Sequence, residues 1–322
     1  MLRKAVALLI FICLALSTAF SGSAELAYRF ADAEEAGALI LSHRAFFERL
    51  TQNDLDFRMQ KKGATLQELE AFTARQTLDF TEADKAAIDE AMRRVDAICR
   101  ERGYALPPVD GITFAKTTMK EECGASAYTH GTLICFGPNA MRYAASKEPG
   151  RVRTFRELLA HEIFHCLTRT HPDFRADMLG ILGFTVADSE YDFAPAIRDA
   201  IISNPDVERH DAFAAFSIGG RMRDCVVVLT YGKPFARSGD SFFDDRVIGL
   251  VPVDDLGTLY TSDDAANFRD VFGRNTDYVI DPEETMAENF ALAIMRGVEG
   301  VHYSDPGIIE AIDARLKSGT CR

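Results

Sequence analysis

Hydrophobic and polar positions along this chain change period several times, and each change marks an element. In "TLQELEAFTARQ" (65–76) and "TEADKAAIDEAMRRVDAICRERG" (81–103) apolar residues recur every three or four positions, which predicts two amphipathic helices. Thr81 is suited to cap the second and Gly103 to stop it. Beyond "LPPVDGITFAKTT" the pattern shortens. Residues 111–117 and 128–136 ("YTHGTLICF") are β-branched or aromatic runs with turn residues between them, which predicts a small sheet. "DCVVVLTYG" and "RVIGLVPV" read as further strands, and a helical pattern returns from Pro282. There is no internal repeat and no low-complexity tract. The pattern predicts an α+β protein with a helical N-terminal region over 25–105 and a main unit over 106–322.

One helix is unlike the others. In "RELLAHEIFHCLTRTHPDF" (156–174), three histidines and a glutamate interrupt an apolar run. Thr154 and Glu157 form a T-x-x-E capping box, which predicts a helix start near Phe155. At 100° per residue, His161 and His165 fall about 40° apart, with Glu162 about 60° beyond His165. Leu158, Leu159, Ile163, Phe164, Cys166 and Leu167 cover most of the remaining circumference, so the helix should be buried. Burying His, Glu and His without a partner is costly. A zinc ion is the partner that H-E-x-x-H spacing suits: two imidazoles reach the metal, and the adjacent glutamate is placed to take a proton from an attacking water. The competing reading is a set of hydrogen-bonded structural residues.

Two places offer a third ligand. His171 stands ten positions after His161, the metzincin spacing, but Thr168 occupies the position where that pattern turns on glycine. If the helix instead continues, His171 points about 80° from His161, on the far side from His165. The second candidate is "VIDPEETMAENFALAIM" (279–295). Asp281 caps, Pro282 takes the first helical position and Glu284 the capping-box position. Yet Glu284 and Glu288 also share one face, which continues as Ala291, Leu292 and Met295, so both acids should be half buried. Glu283 is the fallback ligand, though its partner four residues on is Ala287.

Composition narrows the function. The 322 residues are 47% hydrophobic and 26% charged, ample for a folded core, and the net charge of -13 without a basic block argues against a nucleic-acid partner. The first residues read as a signal peptide, 1–24: a basic Arg3-Lys4 start, the apolar "AVALLIFICLALSTAF" and the small residues "SGSA". A membrane anchor is the alternative, but the run is somewhat short for a span. Export to periplasm or medium implies an oxidising compartment. Six cysteines then remain (99, 123, 135, 166, 225 and 321), of which Cys123 with Cys135 is the locally plausible disulfide.

Four pieces carry a family resemblance: "AYTHGTLI" (127–134), "HEIFHCLTR" (161–169), "SNPD" (203–206) and "PEETMAENFA" (282–291). Together they resemble exported bacterial zinc metallopeptidases of the gluzincin kind. The resemblance implies a zincin-like α+β fold for 106–322, zinc ligands His161, His165 and Glu284, and Glu162 as general base. In such enzymes the third ligand lies on a second helix and an acid four residues later bonds a liganding histidine, the role Glu288 fits. It also implies that the strand near 128–136 lies at the sheet edge, where an extended peptide substrate could pair. The interval between the two motifs is far longer than in thermolysin-like enzymes, and Asp281 stands where relatives tend to have histidine. An oxyanion donor could be Tyr128, His130, Tyr278, His302 or Tyr303. The expected function is an exported zinc metallopeptidase acting on a peptide or protein. The alternatives are a metzincin-type peptidase using His171 and a non-catalytic exported protein in which zinc fastens two helices.

Overall fold

The computed structural model describes residues 26–319; the expected signal segment, Cys13 and Cys321 lie outside them. Five strands form a first sheet: β1 (Tyr28–Phe30), β2 (Thr77–Leu78), β3 (Ile112–Thr117), β4 (Ala127–His130) and β5 (Leu133–Phe136). The order is β1-β3-β5-β4, with β2 also pairing β3. β1, β3 and β5 run parallel, whereas β4 is antiparallel to β5 and lies at the edge. The β4–β5 turn depends on Gly131, which has φ +58° and whose Cβ, if present, would stand 3.2 Å from the His43 ring. A second, antiparallel sheet has the order β10-β9-β8-β7-β6, from β6 (Thr185–Val186), β7 (Ala212–Ile218), β8 (Arg221–Tyr231), β9 (Arg246–Pro252) and β10 (Tyr260–Thr261). The fold is α+β, with both expected strands at 224–232 and 246–253 present as β8 and β9.

Helices cover both faces of the first sheet. The N-terminal ones are α1 (Ala33–Ser42), α2 (Arg44–Arg49), α3 (Gln52–Met59), α4 (Leu66–Ala74) and α5 (Glu82–Arg102). They are followed by α6 (Pro138–Ala144), α7 (Pro149–Thr170), α8 (Pro172–Ile181), α9 (Pro195–Arg198), α10 (Phe268–Phe272), α11 (Pro282–Arg296) and α12 (Pro306–Ser318). As expected, Thr81 caps α5 with a reciprocal bond to Asp84, and Gly103 ends it in the left-handed conformation. Strand alternation divides the packing. Phe114, Ile134 and Phe136 face α5, α7 and α11, while Ala115, Leu133, Cys135 and Tyr128 face Ala36, Ile40, Phe46 and Phe47 of α1 and α2. On the first of these faces the rings of Phe136 and Phe155 meet at 5.3 Å, as do those of Phe164 and Phe290, so α7 is held between the sheet and α11.

Three expectations need correction. Helix α7 starts at Pro149, one and a half turns before Phe155, because proline at the first helical position after Glu148 nucleates it earlier. Thr154 is therefore inside the helix, its hydroxyl donating to the Gly150 carbonyl, and Glu157 pairs with Arg296 at 2.7 Å. The region 25–105 is not purely helical: β1 and β2 are woven into the same sheet as β3, so no break between sheets falls near residue 105. The cysteines at 99, 123, 135, 166 and 225 are all free thiols. Cys135 is held in β5 opposite Tyr128, whereas Cys123 sits before β4 and donates to the Phe57 carbonyl, so they do not flank the hairpin as a bridge requires. Among the described residues no helix is long and apolar enough to cross a membrane.

The N-terminal helices are tied to the rest by charge as well as by packing. Arg58, on α3, is buried between Asp54 at 2.9 Å and Glu122 at 2.8 Å, and also donates to the Ser203 carbonyl. Asp54 accepts in addition from the backbone N–H and hydroxyl of Ser203 and from the Tyr231 hydroxyl. Removing one member leaves the others charged and buried. Asp54→Ala is accordingly expected to destabilise the protein by about 3–5 kcal/mol, read from the urea midpoint; a loss below about 1 kcal/mol would contradict the network.

Candidate metal centre

Helix α7 is apolar over most of its surface, and that surface is occupied by the sheet, α6 and α11, so its polar side chains are buried with it. His165 is 0% exposed and Glu284, on α11, 1%. The ring nitrogens of His161 and His165 and a carboxylate oxygen of Glu284 all lie within 4.8 Å of one another, the one such ligand group among the described residues. Within it, His161 Nε2 stands 3.2 Å from Glu284 Oε2. Ligand atoms on one tetrahedral zinc, each about 2.0–2.1 Å from the ion, would be about 3.3 Å apart. Two helices packed along their length bring the three side chains together, and the His161–Glu284 pair already stands at that spacing.

Buried hydrogen bonding tests the fit further. Neither Nδ1 nor Nε2 of His165 has a hydrogen-bond partner. Leaving such a buried polar group unsatisfied costs about 1–3 kcal/mol, and a metal ion on one nitrogen removes much of that penalty. His161 differs, with Glu284 on one nitrogen and Glu288 Oε1 at 3.2 Å from the other. Burial opposes a charged His161, but the two glutamates outweigh it and push the ring's pKa well above the usual value. Burial, together with the charge on His161, pushes His165 well below it.

Glu162 points into the same space. Burial raises its pKa to about 7, against the lowering effects of His161 and of a 2.7 Å hydrogen bond from the Thr129 hydroxyl. Asp206 lies behind Thr129, accepting from its backbone N–H at 2.7 Å. Burial and the nearby Glu162 and Glu284 carboxylates push Asp206 well above the ordinary range as well. Next to it, Asn204 donates from Nδ2 to Glu284 Oε1 at 2.6 Å. Thr129, Asn204 and Asp206 form the surroundings of the ligand group, and none was assigned a role from sequence. The available signal was "SNPD", whose Asn204 side chain bonds the Asp206 N–H in a short proline-containing turn.

The other sequence candidates separate clearly. Asp281 caps α11 by accepting from the Glu283 N–H, and Pro282 occupies the first helical position, as expected. Glu284 does not fold back to complete a capping box; it turns to His161. Glu283 points away and accepts from Arg175 at 2.8 Å. His171 lies between α7 and α8 with Nε2 2.6 Å from the Pro108 carbonyl, outside the ligand group, because the helix runs on to Thr170 without a glycine turn. Of the oxyanion candidates, Tyr128 bonds Glu121 on the opposite sheet face, His130 stacks on His43, and Tyr303 donates to the Gly297 carbonyl. Tyr278 has its ring 6.4 Å from His161.

Strand β4 is the edge strand over α7, as expected, but its edge is partly covered. The Thr129 N–H is taken by Asp206, and the N–H of Gly131, in the following turn, by Glu208. A peptide cannot pair along the whole strand while these carboxylates stay in place.

Comparison with protein-family models, with curated proteins and with solved structures found no match.

Elemental analysis of the protein after exposure to zinc is expected to find about one ion per chain, lost in Glu284→Ala and retained in His171→Ala. Zinc retained by Glu284→Ala would remove α11 from the site. Asn204→Ala should weaken zinc binding by about tenfold, measured by competition with a chelator, since it frees the Glu284 carboxylate to swing.

Proposed function

We propose that the protein is a zinc-dependent metallopeptidase with a zincin-like fold, in which His161, His165 and Glu284 hold the metal and Glu162 is the general base. The observation that carries this reading is the incomplete ligand set: three buried donors converge, with no fourth histidine, cysteine or carboxylate in the group among the described residues. Structural zinc sites close all four positions with protein, whereas catalytic ones leave one open. Cys166, a conceivable fourth donor, is a buried free thiol on α7 that lies outside the group, and His171 is engaged elsewhere. Two imidazoles and a carboxylate form a donor set that suits zinc.

Zinc, when bound, polarises the substrate carbonyl and eases deprotonation of water. Glu162 accepts the proton of the attacking water on its carboxylate and delivers it to the departing amine. Thr129 fixes the orientation of the carboxylate, since its hydroxyl donates to Oε2 and its own backbone is pinned by Asp206. Glu288 fixes the His161 ring from the side away from Glu284. Tyr278, at the rim, is the side chain best situated to donate to a developing oxyanion. The signal-like N-terminus supports an exported enzyme acting on peptides outside the cytoplasm.

Glu162→Gln separates catalysis from a structural use of zinc. The variant is expected to keep its zinc and its melting temperature while losing peptide hydrolysis by about 100-fold or more. Unchanged hydrolysis would exclude Glu162 as the base. A wild type that holds zinc yet cleaves no peptide in a diverse mixture would favour the fastening role.

A further inference from the structure

Three of the residues around the ligand group also line a separate cavity. Asn204, Asp206 and Tyr278 form one side of a space of about 70 Å³, and most of the rest is apolar: Ile202, Leu229, Phe242 and Ile280. Ala127 of β4 and Phe243, which is 38% exposed, also line it. Asn204 touches Glu284, and Asp206 reaches Glu162 through Thr129, so the cavity shares two of its lining residues with the surroundings of the ligand group. Its floor is rigid. Leu229, Ile202, Phe242 and Ile280 belong to one buried cluster with Phe57 and Phe235.

The covered edge of β4 points to the same place. Outward-facing peptide groups alternate along an antiparallel edge strand, so with Thr129 facing outward Ala127 does too. Thr129 is already engaged with Asp206, which leaves the Ala127 end of the strand, where Ala127 itself lines the cavity, for a substrate main chain.

Resting on the peptidase reading, we propose that this cavity selects the substrate residue beside the scissile bond and takes a small aliphatic side chain, that of alanine or valine. Size sets the upper limit: an apolar cavity of roughly 150 Å³ holds a benzene ring, and this one has about half that volume. Charge sets the second limit. Asp206 and Glu122 in the walls disfavour an acidic side chain, and the apolar remainder of the lining would solvate any charged one poorly. Leu229 and Phe243 are the specificity-determining residues, and neither touches the ligand group.

The test is a degenerate peptide library, cleaved by the zinc-loaded full chain and read by mass spectrometry, with Leu229→Ala and Phe243→Ala in parallel. Wild type is expected to cleave beside alanine or valine roughly tenfold or more faster than beside phenylalanine or aspartate. Leu229→Ala, which deepens the cavity, should move the preference by roughly tenfold towards leucine and phenylalanine. Phe243 lies at the surface, so its loss leaves folding intact; it should raise KM for the preferred peptides severalfold with little change in kcat. Cleavage without side-chain preference, or a preference that neither variant moves, overturns the pocket and leaves the peptidase standing. No cleavage of any library member by a zinc-loaded wild type overturns the peptidase reading and the pocket with it.

Discussion

The interior of this protein concentrates negative charge that it must neutralise. Glu162, Asp206, Asp281 and Glu284 are all buried, together with His161 and His165. An isolated buried carboxylate is far too costly to persist ionised, so each must be protonated, hydrogen-bonded or paired with a cation. The upward shifts at Glu162, Asp206 and Asp281 show how little positive charge their protein neighbours provide. The His161 ring lies between Glu284 and Glu288, 3.2 Å from each. A divalent ion would supply positive charge to the whole group while satisfying the orphaned imidazole of His165. The metal reading thus draws on the energetics of burial as well as on the motif.

A second charged network carries that site's geometry across the molecule. Arg58 and Asp54 of α3 hold both the backbone and the side chain of Ser203, the first residue of the turn that supplies Asn204 and Asp206. Asn204 then restrains Glu284, and Asp206 restrains the strand residue that orients Glu162. The N-terminal helices are therefore a brace for the centre. They stand behind the turn, and their strands β1 and β2 extend the same sheet whose edge lies over α7. The stability cost predicted for Asp54→Ala should consequently be accompanied by looser metal binding, because both depend on one turn.

What was legible in the sequence follows from the range of each interaction. The pair His161 and His165, and the placement of Glu162 beside them, are set by the period of one helix, so spacing was enough to find them. Glu284 was legible for a related reason: acids at the head of an apolar stripe contradict their surroundings unless something else needs them. The start of α7 was misread because Thr154 and Glu157 satisfy a capping pattern that Pro149 pre-empts five residues earlier. Thr129, Asn204 and Asp206 could not be assigned because their roles exist only once β4, the turn at 203–206 and α11 meet. Cys123 and Cys135 were paired on the expectation of a hairpin that spans both, yet the actual hairpin begins at Ala127.

The partly covered edge of β4 is the feature the motif does not anticipate, and it shapes how a substrate would approach. An open edge strand offers several main-chain hydrogen bonds and so binds extended peptides with little regard to side chains. Here Asp206 and Glu208 occupy two of the amides that such a peptide would need. Both carboxylates come from the segment that also carries Asn204, so displacing it to free the strand would release Glu284 at the same time. Covering and the orientation of Glu284 are thus coupled, and on the proposed reading a peptide that paired along all of β4 would loosen the site it came to use. A substrate bound with the turn in place has fewer backbone contacts, and its remaining selectivity must come from side chains seated near Ala127. The enclosed apolar space beside Asn204, Asp206 and Tyr278 is where such a side chain would fit.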